Sequence, residues 1–100
     1  MEFEWDENKR QDVIRERGVD VLYAALMFEN PVLVRTDDRA DYGEDRFIAL
    51  GHVGEEFFYL VFTPRGQKHR LITAWKAGRH GEKHYQNGIS GSSEGNEGSG

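Results

Sequence analysis

A seven-residue stretch at positions 57–63, FFYLVFT, runs through aromatic and aliphatic residues without a break before its closing threonine. A continuous apolar run of this length predicts a central strand that is buried on both faces. Two segments in which apolar and polar residues alternate flank it, at 46–53 and 69–75. The sequences between them, GE at 54–55 and PRG at 64–66, are typical of tight turns. The pattern therefore predicts a three-stranded antiparallel meander.

The first part of the chain predicts one short strand followed by two helices. Residues 2–5 alternate acidic and apolar side chains, which is the pattern of an edge strand. Asp6 is placed to cap a helix that ends near residue 17, and Asp20 is placed to cap a second helix at 21–28. The second helix carries the broader apolar stripe, so we expect it to pack on the sheet.

Together these elements predict an α+β domain of order β-α-α-β-β-β-β-α. Two N-terminal helices are expected to pack on one face of a small twisted antiparallel sheet, which also includes a strand at 32–35. A short C-terminal helix at 76–85 is weakened by two glycines. The domain is predicted to span residues 1–86. Residues 87–100 form a Gly/Ser-rich segment with one large apolar residue, Ile89, and predict a disordered tail.

Composition limits where such a protein works. The chain has 100 residues and no cysteine, which agrees with a reducing compartment. No apolar run approaches the roughly 18 residues that a membrane-spanning helix needs. The acidic start, MEFEWDE, lacks the charged and then apolar layout of a signal peptide. The sequence therefore predicts a cytoplasmic protein without a membrane partner.

The net charge of −5 conceals an asymmetry along the chain. Residues 1–45 carry thirteen acidic and six basic side chains, whereas residues 64–88 carry one acidic and six basic side chains. Such a distribution can form a cationic face on an acidic body. That face would suit RNA, or an acidic or helical segment of a protein partner.

Several short motifs follow one another in a fixed order. They are WDxxK at 5–9, RGV at 17–19, ENP at 29–31, DYGEDR at 41–46, TPRG at 63–66 and RLITAWKA at 70–77. In this order and spacing they resemble the BrnT family of bacterial toxins, over about residues 3–85. The resemblance implies a RelE-like fold, ribonuclease activity and a cognate antitoxin, with DNA contacted only through that antitoxin.

The chain departs from the family pattern at three places. Arg17 stands where the family has histidine, and Trp75 stands where it has arginine or lysine. A glutamate expected in the last segment is displaced to Glu82, behind Gly81, while Tyr85 falls at its expected place. These departures leave an alternative open, in which the chain is a non-catalytic interaction module that binds a protein partner.

The favoured function is that of a toxin in a type II toxin–antitoxin system, a metal-independent endoribonuclease that cleaves messenger RNA and so inhibits translation. Such an enzyme directs the ribose 2′-hydroxyl at its own phosphate, and it needs a base, an acid and cations that face the developing charge. It needs no cofactor.

The predicted catalytic residues are the phosphate-facing cations Arg46, Arg70 and Arg79, with His69 or Tyr85 assisting proton transfer. The other predicted RNA-binding residues are Arg65, Lys68, Lys76 and Lys83. Glu44, His80 and His84 stay open as alternative acids or bases.

Each residue also has a structural interpretation. His69, beside a turn, fits a solvated loop, and Arg46 and Arg70 could protect an exposed sheet edge. Trp75 fits either the core or a base-stacking surface.

Two possible metal sites are not supported. His80 and His84 have the helical spacing of a metal pair, but glycine lies between them and no third ligand is evident. Residues 36–45, TDDRADYGED, do not have the spacing of a calcium loop and predict a solvated connection. The sequence therefore predicts no metal site.

Overall fold

A computed structural model describes the backbone of residues 1–98 and the side chains of residues 1–90. Its elements in chain order are β1 (Glu2–Trp5), α1 (Glu7–Arg17), α2 (Val21–Ala24), a 3₁₀ helix (Ala25–Glu29), β2 (Leu33–Thr36), β3 (Phe47–Val53), β4 (Glu56–Arg65), β5 (Lys68–Lys76) and α3 (Gly78–Gly98). The α+β class predicted from the sequence holds. No helix within residues 1–98 is long and apolar enough to cross a membrane.

The five strands form one mixed sheet in the order β1-β5-β4-β3-β2. Strands β3, β4 and β5 make the predicted antiparallel meander, with β4 at its centre. The prediction of a wholly antiparallel sheet is wrong, because β1 pairs with β5 in parallel, from Glu2 opposite Lys68 to Trp5 opposite Leu71. Alternation along a strand determines which face each side chain occupies. The alternation carries no information on whether a partner strand far along the chain runs parallel or antiparallel.

The first two helices are joined by a charged contact between Arg10 in α1 and Asp20, the residue before α2. Asp6 caps α1, and Gly18 ends it in the left-handed conformation at φ 67° that glycine adopts without strain. Asp20 caps α2 by accepting the backbone N–H of Leu22 at 2.9 Å. Its carboxylate also accepts two hydrogen bonds from Arg10, at 2.8 and 2.7 Å, which lower the pKa of Asp20. One aspartate thus starts α2 and anchors α1 to it.

The predicted second and last helices differ from the observed ones. The second is a single α-helical turn that continues as a 3₁₀ helix, a common form for short helices that must end. The last helix is longer than predicted. A Cβ at Gly88 would clash with Leu33, so this glycine lets α3 lie close to β2, whereas a Cβ at Gly81 would clash with the Cβ of Ala77, just before α3. The sequence predicted two regular N-terminal helices on a small sheet and a short C-terminal helix. That prediction is wrong for the second helix and for the last one.

The predicted tail, residues 87–100, is only partly covered by the structure. The backbone of α3 extends into it, but the side chains beyond residue 90 and all of residues 99 and 100 lie outside the described residues. The disorder of the tail and the domain limit at residue 86 stay predictions.

The sheet has a core on each face. On the face covered by α1 and α2, here called the α1 face, Val13, Met27, Phe58 and Leu60 belong to the larger cluster. On the opposite face, here called the α3 face, the smaller cluster consists of Ile48, Val61 and Ile72, flanked by Tyr59 and Trp75. Helix α3 contacts this second face near Leu33, Leu50 and Tyr59, whereas Arg46 and Arg70 at the other end stay partly exposed.

Candidate functional site

Two predicted phosphate-facing arginines lie in one row across the α3 face. Arg70 in β5 is the direct partner of Thr63 in β4. Arg46 precedes β3 on the other side of Thr63, since Phe47 is the partner of Phe62. The Thr63 hydroxyl donates to the backbone carbonyl of Asp45 at 2.5 Å and so fixes this end of β3 to β4. Two strand spacings put the backbones of the arginines about 10 Å apart, which is within reach of one RNA segment.

Both arginines of this row already contact a carboxylate. The Arg46 Nε lies 3.1 Å from Glu44 Oε2, and its guanidinium carbon lies 4.1 Å from the ring centre of Tyr42. The Arg70 Nη1 lies 3.9 Å from Glu4 Oε2. Partly exposed pairs of this kind are weak, so a phosphate can compete for each guanidinium.

The loop before this row is held by a buried carboxylate. The side chain of Asp37 is fully buried and accepts hydrogen bonds from Arg39 Nε at 2.7 Å and Nη2 at 2.8 Å. These bonds lower the pKa of Asp37 to about 2. The rest of the loop is largely exposed, as the sequence predicted, but Asp37 within it is buried.

An aromatic pair lies beside the same loop. Trp75 stacks on Tyr59 with ring centres 5.5 Å apart and planes 29° apart. The guanidinium carbons of Arg39 and Arg17 lie 5.4 and 5.1 Å from the centre of the Trp75 ring. The indole of Trp75 thus contacts side chains from the loop and from the end of α1. Trp75 is therefore half-buried against the smaller core, and stacking of a base on it stays a prediction.

A cleft of about 470 Å³ opens between β2 and α3 on the α3 face. Its lining residues are Leu33, Val34, Arg35, Ile48, Leu50, Tyr59, His80 and His84. The floor is therefore mainly apolar, while a guanidinium and two exposed imidazoles stand at its sides. His80 and His84 are only alternative acids or bases in the prediction from the sequence, and Arg35 is absent from that prediction. The alternation of Leu33 with Arg35 along β2 was the signal that places both on one face.

His69 and Arg70 are neighbours in sequence but point to opposite faces. The His69 ring lies on the α1 face, stacked on Phe62 at 4.7 Å and 12°. Phe3 and Phe28 meet it edge-on at 6.4 and 5.9 Å. Its Nδ1 is buried and has no hydrogen-bond partner among the side chains that the structure describes. The structure therefore does not bring His69 to the row of arginines, and its catalytic role stays a prediction.

Tyr85 is enclosed where α3 meets the sheet. Its hydroxyl donates to the carbonyl of Pro31 at 2.6 Å, and its ring packs against His52 and Phe57 at 5.5 and 5.4 Å. Only 8% of the residue is exposed. This position holds the helix in place, and a role for the Tyr85 hydroxyl in proton transfer stays a prediction.

The other predicted cations lie at two separate places. Arg65 and Lys68 are partners at the β4–β5 turn, next to the row of arginines. Lys76, at the opposite end of β5, lines one surface pocket with Arg79. Arg79 and Lys83 lie together at an exposed surface of α3 that Glu82 and Gln86 also line. The five predicted catalytic residues are therefore not brought into one constellation.

The chain matches a known protein family over most of its length. The family described as "Ribonuclease toxin, BrnT, of type II toxin-antitoxin system" matches residues 5–81. The chain belongs to the BrnT family. It is therefore assigned to the ribonuclease toxins of type II toxin–antitoxin systems, which implies an RNA substrate and an antitoxin partner. No curated protein matches the chain. The matched segment contains the row of arginines and ends before His84 and Tyr85.

No metal site is evident in the part of this BrnT chain whose side chains the structure describes. Within residues 1–90, no group of three or more histidine, cysteine, aspartate or glutamate side chains is arranged to hold a metal ion. The helical pair His80 and His84 thus has no third ligand there. What the pair offers instead is two imidazoles beside an arginine and an apolar floor.

Proposed function

We propose that this BrnT toxin cleaves messenger RNA by a metal-independent transesterification and thereby inhibits translation. The observation that carries the proposal is the row on the α3 face, where Arg46 and Arg70 flank Thr63. Cleavage of this kind begins when the ribose 2′-oxygen attacks the adjacent phosphorus. The phosphorus then passes through a five-coordinate state whose negative charge exceeds that of the starting diester. Fixed cations that face this charge lower the barrier.

The ion pairs of the row fit this role. Glu44 and Glu4 orient the guanidinium groups of Arg46 and Arg70 before RNA arrives. A phosphate that enters takes the place of these carboxylates and accepts hydrogen bonds in the planar geometry that a guanidinium offers. Both groups therefore reach the bound phosphate with little rearrangement of their own.

The cationic surface extends beyond the row at one end. Arg65 and Lys68 lie one step further along β4 and β5, so they can hold the neighbouring nucleotides by their phosphates. Arg79, Lys76 and Lys83 lie away from this strip, and their predicted contacts would need RNA that wraps around the end of the sheet. We therefore place the catalytic phosphate at Arg46 and Arg70.

A cleavage assay with purified protein tests the proposal. Arg46→Ala and Arg70→Ala should each reduce the rate of RNA cleavage by about 10²-fold or more. This is the usual effect of removing one preorganised hydrogen-bond donor that stabilises a transition state. Arg15→Ala is the matched control, because it removes an exposed arginine from α1, the helix whose Val13 packs in the core of the α1 face. Wild-type rates for both row variants, with the fold intact, would contradict the proposal.

A second candidate function is that of a non-catalytic module that binds an antitoxin. The observation in its favour is that Arg17 and Trp75, two departures from the family pattern, contact each other. Expression of the chain alone separates the candidates. The ribonuclease proposal expects growth arrest and fragmented messages, whereas the module expects normal growth and intact messages.

The proposed partner is an antitoxin that covers the row of arginines until release. A segment rich in acidic side chains would replace RNA phosphates there, and its encounter with the toxin would slow as salt is added. We further propose that the pair acts in the cytoplasm and that DNA is contacted only through the antitoxin.

A further inference from the structure

The row of arginines supplies cations but no group that can exchange a proton near neutral pH. His69 lies on the opposite face among phenylalanines, and the Tyr85 hydroxyl already donates to a backbone carbonyl. Glu44 contacts Arg46 and is held as its counter-ion. The acid and base of the proposed reaction must therefore come from another part of the α3 face.

The cleft beside α3 presents two unused imidazoles. Gly81 and Tyr85 are buried against the sheet, so the residue before each of them lies on one flank of the helix. These residues are His80 and His84, and both line the cleft. Positions four apart on a helix hold their side chains about 5–6 Å apart at Cβ. Two imidazoles at this spacing can address opposite sides of one phosphodiester.

Arg35 connects this cleft with the row of arginines. It is the partner of Ile48 on β3, two residues from Arg46 on the same face. Two residues along a strand correspond to about 7 Å, close to the distance between successive phosphates of an extended strand. Arg35 and the row thus form a cationic path that leads from Arg70 to the histidines.

The floor of the cleft suits an unstacked nucleoside. Leu50 and Tyr59 offer aliphatic and aromatic surface, and about 470 Å³ is enough for one base with its ribose. A base can reach such a floor only from a single-stranded region, where it is free to leave its stack. The substrate class that fits is single-stranded RNA.

Resting on the proposed ribonuclease function, we propose that His80 and His84 are the proton-transfer pair for the phosphate held at Arg46 and Arg70, and that Arg35 binds the next phosphate along the strand. One imidazole takes the proton of the ribose 2′-hydroxyl while the 2′-oxygen forms a bond to phosphorus. The bond from phosphorus to the 5′-oxygen breaks, and that oxygen takes a proton from the other imidazole, which is protonated. The products are a 2′,3′-cyclic phosphate and a 5′-hydroxyl. The step consumes no water, metal or oxidant.

Histidine variants test the pair in the full chain. His80→Gln and His84→Gln should each reduce the rate at saturating RNA by about 10²-fold or more, within the range for one proton-transfer group. His52→Gln is the matched control, because His52 lies on the same face but contacts Phe57 and Tyr85 outside the cleft. It should cleave at the wild-type rate. Circular dichroism checks that each variant stays folded.

A binding measurement tests the cleft without relying on turnover. Titration with uridine 3′-monophosphate or adenosine 3′-monophosphate should shift the ring resonances of His80 and His84. It should leave those of His69 unchanged, since that ring lies on the other face. Arg35→Ala should weaken the nucleotide affinity about tenfold. Unchanged His80 and His84 resonances at saturating nucleotide would overturn the inference.

The outcomes separate this inference from the proposed function. Wild-type cleavage by the double variant His80→Gln/His84→Gln, together with loss of cleavage in Arg46→Ala, overturns the histidine pair and leaves the ribonuclease proposal standing. Absence of cleavage by the wild-type chain on any RNA overturns the proposed function. A cyclic phosphate end that disappears in the histidine variants supports both.

Discussion

The guanidinium carbon of Arg17 lies 5.1 Å from the centre of the Trp75 ring, so two positions at which the chain departs from the BrnT pattern are in contact. The family pattern has histidine at the first position and arginine or lysine at the second. This chain has its cation at the end of α1 and an aromatic ring in β5. Each departure supplies what the other requires, because a second cation at position 75 would repel Arg17.

This contact predicts a reciprocal effect of mutations. Arg17→Ala should lower the free energy of unfolding by about 0.5–1 kcal/mol, the usual size of an exposed cation–π contact. Trp75→Arg should cost more, because it loses the stack on Tyr59 and sets like charges together. The double variant Arg17→His/Trp75→Arg restores the family pattern, and it should be more stable than Trp75→Arg alone. Urea denaturation measures these variants together with the single variant Arg17→His, which completes the cycle. Strictly additive effects would show that the two residues are not coupled.

A second prediction concerns the stability of the loop in acid. Arg39 holds the pKa of Asp37 at about 2, below the ordinary value of the carboxyl. A carboxyl whose pKa is depressed in the folded state stabilises the fold above its unfolded pKa and loses this contribution as pH falls through its folded pKa. The contribution of Asp37 should therefore be complete above about pH 4 and should disappear toward pH 2.

The variant Asp37→Asn isolates the contribution of the Asp37 charge to the free energy of unfolding. The difference in unfolding free energy between wild type and Asp37→Asn should be largest at neutral pH and should shrink between about pH 4 and pH 2. Asp38→Asn is the control, because Asp38 is exposed in the same loop. A difference that stays constant over this range would show that the carboxylate charge does not hold the loop.

The third prediction separates two roles of Tyr85. Tyr85→Phe removes the hydrogen bond to the carbonyl of Pro31, an exposed residue, which should cost about 0.5–1.5 kcal/mol of stability. If Tyr85 serves only to hold α3 in place, the variant should lower the melting temperature and leave the cleavage rate of the folded protein unchanged. If the rate constant of cleavage per folded molecule also falls about 10²-fold, the proton-transfer role predicted from the sequence is supported. Single-turnover kinetics on the folded fraction measure that rate constant.

Local patterns in the sequence predicted the meander well and its surroundings less well. The apolar run at 57–63 indicates a central strand because every residue of it must be buried on one face or the other. The parallel pairing of β1 with β5 was not predictable from alternation, which carries no information on strand direction. The length of α3 was missed because glycine weakens an isolated helix. Here Gly88 permits close packing of α3 against Leu33, and tertiary packing of this kind outweighs helix propensity.

The candidate site, like the fold, was only partly predictable from local sequence patterns. Arg46 and Arg70 were identifiable as cations at strand ends, but their common row depends on the register of two strand pairs. His69 looked like a loop residue beside a turn, and only the register at the β4–β5 turn shows that it turns to the α1 face. Arg35 was overlooked because a single arginine in a short edge strand has no local signal of function.

The last prediction concerns Glu4, the carboxylate that contacts two cations of the RNA-binding surface. Its Oε1 lies 3.5 Å from Arg65 Nε, and its Oε2 lies 3.9 Å from Arg70 Nη1. RNA must displace this carboxylate to reach both arginines. Glu4→Gln should therefore increase RNA affinity several-fold and make the logarithm of affinity fall more steeply with the logarithm of salt concentration. Glu16→Gln changes the net charge equally but lies on α1, so it serves as the control. Equal effects of the two variants would mean that only total charge matters, and that RNA does not bind at Arg65 and Arg70.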